Sequence, residues 1–338
     1  MSMRPSRAEM ADVIPFERAH REPGRCRAIT AAGRPCRNRA GSSGFCRVHQ
    51  PPVAADHIGP FEAEQVRGVI SFLSRRLTGQ YDVDDFGFDP ELTETVFLPL
   101  IRAMYRYYWR ADWNGLENIP TEGPALLVAN HAGTFPLDAM VMKFGVLGEH
   151  PARRHVRLLA ADLTFRMPIV SPMARKIGST LACEEDTRRL LRQGELVAVF
   201  PEGFKGVGKG FRNRYRLQRF GRGGFVETAL REQVPIVPVA IVGSEEAIPM
   251  LADIRPLARL FGLPYFPVTP TFPLLGPLGL MPLPSKWTIE FGPPILTDVY
   301  GPDAWHDAML LFELTDRIRD TVQQMLYQNL MTRRSAFI

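Results

Sequence analysis

Long apolar runs are the first thing missing from this 338-residue chain. No stretch approaches the roughly 18 to 20 uninterrupted apolar residues that a spanning helix requires, and the opening residues, MSMRPSRAEMADVIPFERAHRE, hold no apolar segment of a secretory signal. The expectation is a cytoplasmic protein, peripheral at the inner face of the cell membrane. Lysine is missing from residues 1–60, which carry ten arginines and five acids. The remaining 31 basic and 31 acidic residues cancel, so the whole net charge of +5 belongs to this arm and the body is neutral. A magnesium ligand is missing too. Gly203 to Lys209 spell G-x-x-x-x-G-K after an apolar run, the frame of a phosphate loop, but Gly210 stands where that loop needs Ser or Thr to hold the metal.

Cysteine is scarce, and three of the four, Cys26, Cys36 and Cys46, lie in the arginine-rich arm, followed by His49 in the spacing C-x9-C-x9-C-x2-H. Three thiolates and an imidazole make a tetrahedral zinc set, and a segment this polar has little else to order it. A structural zinc is therefore expected in residues 26–49, with no cofactor for catalysis; the alternative is a disordered arginine-rich tail with incidental cysteines. The fourth, Cys183, sits in an apolar run and reads as a packed core thiol.

With 45% hydrophobic residues the chain can bury one substantial core. The Pro-rich connector QPPVAADHIGP separates the arm, 1–59, from the body of the chain. Residues 60–115 predict two amphipathic helices with a possible membrane contact, one over 64–78 and a second starting at DPELTETV, where Asp89 can cap and Pro90 suits the first turn. Its apolar stripe ends in Tyr107, Tyr108, Trp109 and Trp113, facing either core or lipid. Residues 116–338 alternate apolar runs with helical patterns. Strands are expected at Ala125 to Ala129, Val156 to Ala160, Ser179 to Cys183, Leu196 to Phe200, Ile236 to Val242 and Trp287 to Phe291. Helices are expected at Leu137 to Val146, Pro168 to Ile177, Glu185 to Gln193, Gly223 to Glu232 and Asp303 to Leu330. This predicts an α/β fold with a mostly parallel or mixed sheet covered by helices on both faces. Leu263 to Pro284 breaks the rhythm, being apolar yet proline-laden; it is either a buried irregular loop or a surface for lipid or an acyl chain.

Two stretches carry chemistry. In LLVANHAGTFPLDAM, His131 stands beyond the carboxyl end of the first strand, and Asp138 comes seven residues later, with Thr134 able to cap and Pro136 able to start the helix that contains it. A tight turn over 132–135, or two helical turns, would bring the carboxylate to the imidazole and leave the other ring nitrogen to accept a proton from an alcohol. A histidine that merely caps a strand end is the plain alternative. In VAVFPEGFKGVGKG, Glu202 emerges at the same sheet edge if the strands are parallel. It is followed by seven cations from Lys205 to Arg222, among them Lys209 and Arg212, with no acid between. That cluster, interleaved with aromatics and glycines, suits anion capture.

NHAGTFPLD, then VAVFPEG, then VPIVPVAIVG resembles the glycerolipid acyltransferase family, which includes lysophosphatidic acid acyltransferases, over roughly residues 90–300. The resemblance implies transfer of an acyl group from acyl-CoA or acyl carrier protein to the hydroxyl of a lysophospholipid or other lipid alcohol. It implies His131 as general base, Asp138 orienting it, and Glu202 and Gly203 in acceptor binding. Lys205, Lys209 and Arg212 are the candidates for a phosphate, because GSTLACEEDTRRLL lacks the arginine that the family's second motif carries, and the dyad spacing is two residues longer than the family's usual form. Membrane surface is an expected partner and nucleic acid is not. The rival readings are a basic zinc-module nucleic-acid binder, which leaves both motifs idle, and a non-catalytic lipid-binding member of the same fold.

Overall fold

The structure is a computed structural model that describes residues 36, 71–79, 81–221 and 223–337. Two compact units divide it, Met1–Gly79 and Gln80–Ile338. In the first, residues 71–77 are helical, within the helix expected over 64–78, and Cys36 is buried. Cys26, Cys46 and His49 lie outside the described residues.

The second unit is an α/β layer. Its strands are β1 (Asp112–Asn114), β2 (Ala125–Ala129), β3 (Val156–Ala160), β4 (Ser179–Leu181), β5 (Leu196–Val199), β6 (Ile236–Val242), a separate two-stranded pair β7 (Ala252–Asp253) and β8 (Pro267–Val268), and β9 (Thr288–Phe291). The main sheet has seven strands in the order β1-β9-β6-β2-β5-β3-β4. β6, β2, β5, β3 and β4 are mutually parallel. β9 runs antiparallel to β6, and β1 runs parallel to β9, so the sheet is mixed. The three-residue edge strand β1 lies inside the segment expected to hold only helices; it is too short to show a period of two. Pro238 is tolerated in a central strand because it falls between the β6–β9 ladder, which ends at Val239 opposite Phe291, and the isolated Ile236–Ile295 bridge.

Helix α1 spans 90–108 in alternating α and π turns, with Asp89 accepting a cap bond from the Leu92 amide at 2.9 Å. Its stripe divides: Tyr105 faces the core, whereas Leu100 and Tyr107 are exposed. There follow α2 (Leu137–Glu149), α3 (Asp162–Arg166), α4 (Val170–Lys176), α5 (Glu184–Arg192), α6 (Phe204–Val207), α7 (Gly224–Glu232), α8 (Ser244–Ala247), α9 (Arg255–Leu260) and α10 (Ala308–Thr332). One face of β2 and its neighbours packs Leu127 and Ala129 against Tyr105 and Trp109 and against Met142 and Val146 of α2. The other packs Leu126 and Val128 against Leu190 and Leu191 of α5, Val226 and Leu230 of α7, and Ile318 and Val322 of α10. A strand buried on both faces reads as an unbroken apolar run, which is why ALLVA and IVPVAIV were legible. Cys183 is not a packed core thiol: β4 stops at Leu181, and Cys183 is half-buried at the N-cap of α5.

Candidate active site

Because β2, β5 and β6 are parallel neighbours, the residues that come after each emerge at one carboxyl edge. Asn130 stitches two of them, its side chain donating to the Ile241 carbonyl at 3.0 Å and accepting from the Ile241 amide at 2.7 Å. His131 is the next residue. Residues 132–136 then turn back before α2 starts at Leu137, and this turn, not two helical turns, brings Asp138 to the imidazole. His131 Nδ1 lies 2.8 Å from Asp138 Oδ2. The same oxygen accepts the Ala132 amide at 2.8 Å, and Oδ1 accepts the Ala139 amide at 2.8 Å, so the carboxylate is fixed on three sides. Asp138 is fully buried, while the His131 side chain keeps 14% of its surface open. The ring rests on Phe200 at a centroid distance of 4.6 Å. Thr134 does not cap α2; its hydroxyl donates to the Ile248 carbonyl at 2.9 Å, and Pro136 holds the N-cap position without a side-chain bond.

Glu202 is placed beside this dyad, but not as a free acceptor-binding group. Oε1 accepts the His131 backbone amide at 2.9 Å and Oε2 accepts the Gln218 amide at 2.6 Å, and its side chain is fully buried. Gly203 turns the chain at φ 53°, ψ −142°, a region that side chains disfavour. Gly206 on α6 passes so close to His131 that a Cβ there would stand 2.4 Å from its carbonyl oxygen.

Lys209, expected to hold a phosphate, is committed elsewhere. Its ammonium lies 3.5 Å from Glu202 Oε2 and 3.2 Å from Glu245 Oε1, with the side chain 3% exposed. Two desolvated carboxylates need that cation more than a solvated phosphate does. Lys205 and Arg212 are exposed and make no ion pair among the described residues, so they remain available to an anion. In the segment that lacks the family's arginine, Arg188 pairs with Glu232 and Glu184, and Arg189 pairs with Asp85.

The residues after β6 escaped the sequence reading. Glu245 accepts the Tyr215 amide at 3.0 Å, and burial pushes its carboxyl up to about 7 against the opposing pull of Lys209. The Tyr215 hydroxyl donates to Glu246 and accepts the Gly243 amide at 3.0 Å, and Arg333, beyond α10, reaches Glu246 at 3.2 Å. VGSEEA comes after a strand just as FPEG does; carrying the argument used for Glu202 one strand further would have found Glu245.

A family profile described as Acyltransferase matches residues 110–242. An uncharacterized protein of Mycobacterium tuberculosis is 56% identical over 275 residues, 81% of this chain and 77% of its own length. A Gallus gallus protein described as a DGAT1/2-independent enzyme synthesizing storage lipids is 28% identical over 161 residues, 48% of this chain and 47% of its own. Among solved structures, the 1-acyl-sn-glycerophosphate (LPA) acyltransferase PlsC of Thermotoga maritima superposes with a TM-score of 0.50 at 18% identity, covering 80% of this chain and 93% of that one, a likeness of fold.

Proposed function

Residues 110–242 of this chain match the acyltransferase family, and from that premise we propose that the chain moves a fatty acyl group from a thioester carrier, acyl-CoA or acyl carrier protein, to the hydroxyl of a lysophospholipid or related glycerolipid. The observation that carries the reading is the His131–Asp138 contact of 2.8 Å, with the carboxylate buried and the ring still open to solvent. An aspartate on Nδ1 selects the tautomer whose Nε2 is an acceptor.

The acceptor's O–H bond breaks as its proton passes to His131 Nε2, and its oxygen forms an ester bond to the thioester carbon. The carbon–sulfur bond then breaks, and the leaving thiolate recovers the proton from the imidazolium. Asp138 steadies the transient imidazolium. Glu202 holds the His131 backbone in place, and Lys205 and Arg212 offer cations to a phosphate on acceptor or carrier. A zinc in residues 26–49 would be structural and has no part in these steps.

The test is His131→Ala in the purified, folded full chain, assayed with long-chain acyl-CoA and lysophosphatidic acid, then with neutral glycerolipid acceptors. Turnover is expected to fall by about two to four orders of magnitude. Near-normal turnover would refute the mechanism.

A further inference from the structure

Between β6 and β9 the chain leaves the sheet and builds a small lobe over residues 251–283. β7 and β8 pair antiparallel at its base, with α9 between them. Beyond the pair, an aromatic row ties the parts together: Phe261 stacks on Phe266 at 6.0 Å, and Phe266 meets Phe272 at 5.6 Å. The tip closes on itself, since the hydroxyls of Thr269 and Thr271 both donate to the Gly279 carbonyl, at 3.2 and 2.8 Å.

This lobe keeps Tyr265, Phe266 and Phe272 half-buried but turns six other large apolar side chains outward. Leu260, Phe261, Leu274, Leu275, Leu278 and Met281 are all exposed, Leu274 to 87% and Leu278 to 71%. A surface in water rarely collects so many large apolar side chains on one small element. Its charge is largely one-sided: Asp253 at the base, 3.9 Å from Arg255, is its one acid, and from Ile254 to Ile289 the only charged residues are Arg255, Arg259 and Lys286. Arg255 and Arg259 are exposed beside Leu260 and Phe261. Leucines flanked by an excess of cations match a bilayer with anionic headgroups, in which the leucines enter the acyl region and the guanidiniums stay at the phosphate level.

The lobe also touches the site. The Tyr265 hydroxyl donates to the Thr134 carbonyl at 2.7 Å, inside the turn that joins His131 to Asp138. Its ring lies against Gly208, where a Cβ would come within 2.9 Å of it. Leu251 and Met250 at the root bond to Val268 and to Phe211.

We propose that residues 255–281 are the membrane-docking element of this protein: the exposed leucines insert into an anionic bilayer and, through Tyr265, set the His131–Asp138 turn at the lipid surface from which the acceptor arrives. The last clause rests on the acyltransferase reading; the docking does not.

The experiment uses the full chain and phosphatidylglycerol–phosphatidylcholine vesicles in which part of the phosphatidylcholine is brominated on its acyl chains. In L278W, the introduced tryptophan is expected to be quenched beyond the native background. L274D/L275D/L278D, its fold checked by circular dichroism and thermal midpoint, is expected to lose salt-resistant vesicle binding by about tenfold or more. High salt suppresses any binding through the arginine-rich arm. The quenching decides: an introduced tryptophan untouched by bromolipid overturns the proposal, and so does a lobe-dependent dimer in sedimentation velocity that excludes vesicles. The triple variant should keep activity on a dispersed short-chain acceptor while losing it on vesicle-borne acceptor. Absence of activity on both acceptors in the unaltered chain, with the L278W quenching intact, would sink the enzyme reading and leave the docking standing.

Discussion

At the scale of single residues, the site depends on Asp138 having no freedom. Its oxygens accept two backbone amides and the imidazole within 2.8 Å, so the ring it holds is set before substrate arrives. Asp138→Asn keeps the shape but can present an N–H where an acceptor is needed, which favours the wrong tautomer. We expect it to cut kcat by about two to four orders of magnitude with little change in KM for the acyl donor, read by steady-state kinetics. A change in KM alone would assign Asp138 to binding. Gly206→Ala should also inactivate, though it removes no polar group, because a Cβ 2.4 Å from the His131 carbonyl must push α6 or the catalytic turn away. Activity preserved in Gly206→Ala at normal solubility would show that this close approach is not needed.

At the scale of elements, three strand ends are coupled through one ammonium. Lys209 stands between Glu202, just past β5, and Glu245, just past β6, and Glu202 in turn holds the backbone of His131, just past β2. Removing the cation leaves two buried carboxylates facing each other, so Lys209→Met should destabilise the fold by about 3–5 kcal/mol. Glu245→Gln should cost less, and the double variant should recover part of the loss, as measured by urea denaturation in a double-mutant cycle. Additive losses would deny the coupling. Glu245 adds a pH signature. Burial raises its carboxyl from 4.5 to about 7 in the folded state, so between those values the folded chain binds a proton that the unfolded chain has released. Stability from this group is full below about pH 4.5 and is lost as pH rises to about 7; Glu245→Gln should remove that decline.

At the scale of the molecule, the sheet has a reactive edge and a quiet one with its own buried charge. Lys143 of α2 is fully buried and donates to the Val156 carbonyl at the start of β3, near Arg157, which pairs with Asp84 at 2.7 Å and Glu195 at 3.2 Å. Burial first, then the Arg157 charge, pulls the Lys143 ammonium down from 10.5 to about 7. Between those values the unfolded chain carries a proton that the folded chain lacks, so stability should rise with pH from about 7 towards about 10. Lys143→Met should flatten that rise, read from denaturation midpoints at about pH 7 and about pH 9; an unchanged slope would put its origin elsewhere. The arm is the other whole-molecule question. All the groups in the proposed chemistry lie in the unit that starts at Gln80. Deleting residues 1–59 should therefore leave acyl transfer largely intact while zinc content falls from about one per chain to none. A full chain without zinc refutes the metal assignment, and lost activity would make the arm part of the enzyme.

The sequence by itself determined the alternation of elements, because strands buried on both faces and helices buried on one leave different apolar periods. It also marked His131 and Glu202, because each comes after an apolar run and parallel strands deliver the residues at their carboxyl ends to one edge, and Asp138, because it stands seven residues beyond His131 where a turn can bring it back. It could not give the strand order, the reversed β9 and β1, or the partner that each charged side chain chooses, since these are set by which elements pack side by side. Lys205, Lys209 and Arg212 read alike as members of one cationic run. Only the fold, by bringing Glu202 and Glu245 within 3.5 Å of one ammonium, turned Lys209 inward and left the other two in water. The apolar residues of 263–284 likewise read as core or surface with equal ease; a chain must fold before one side of a loop is buried and the other faces out.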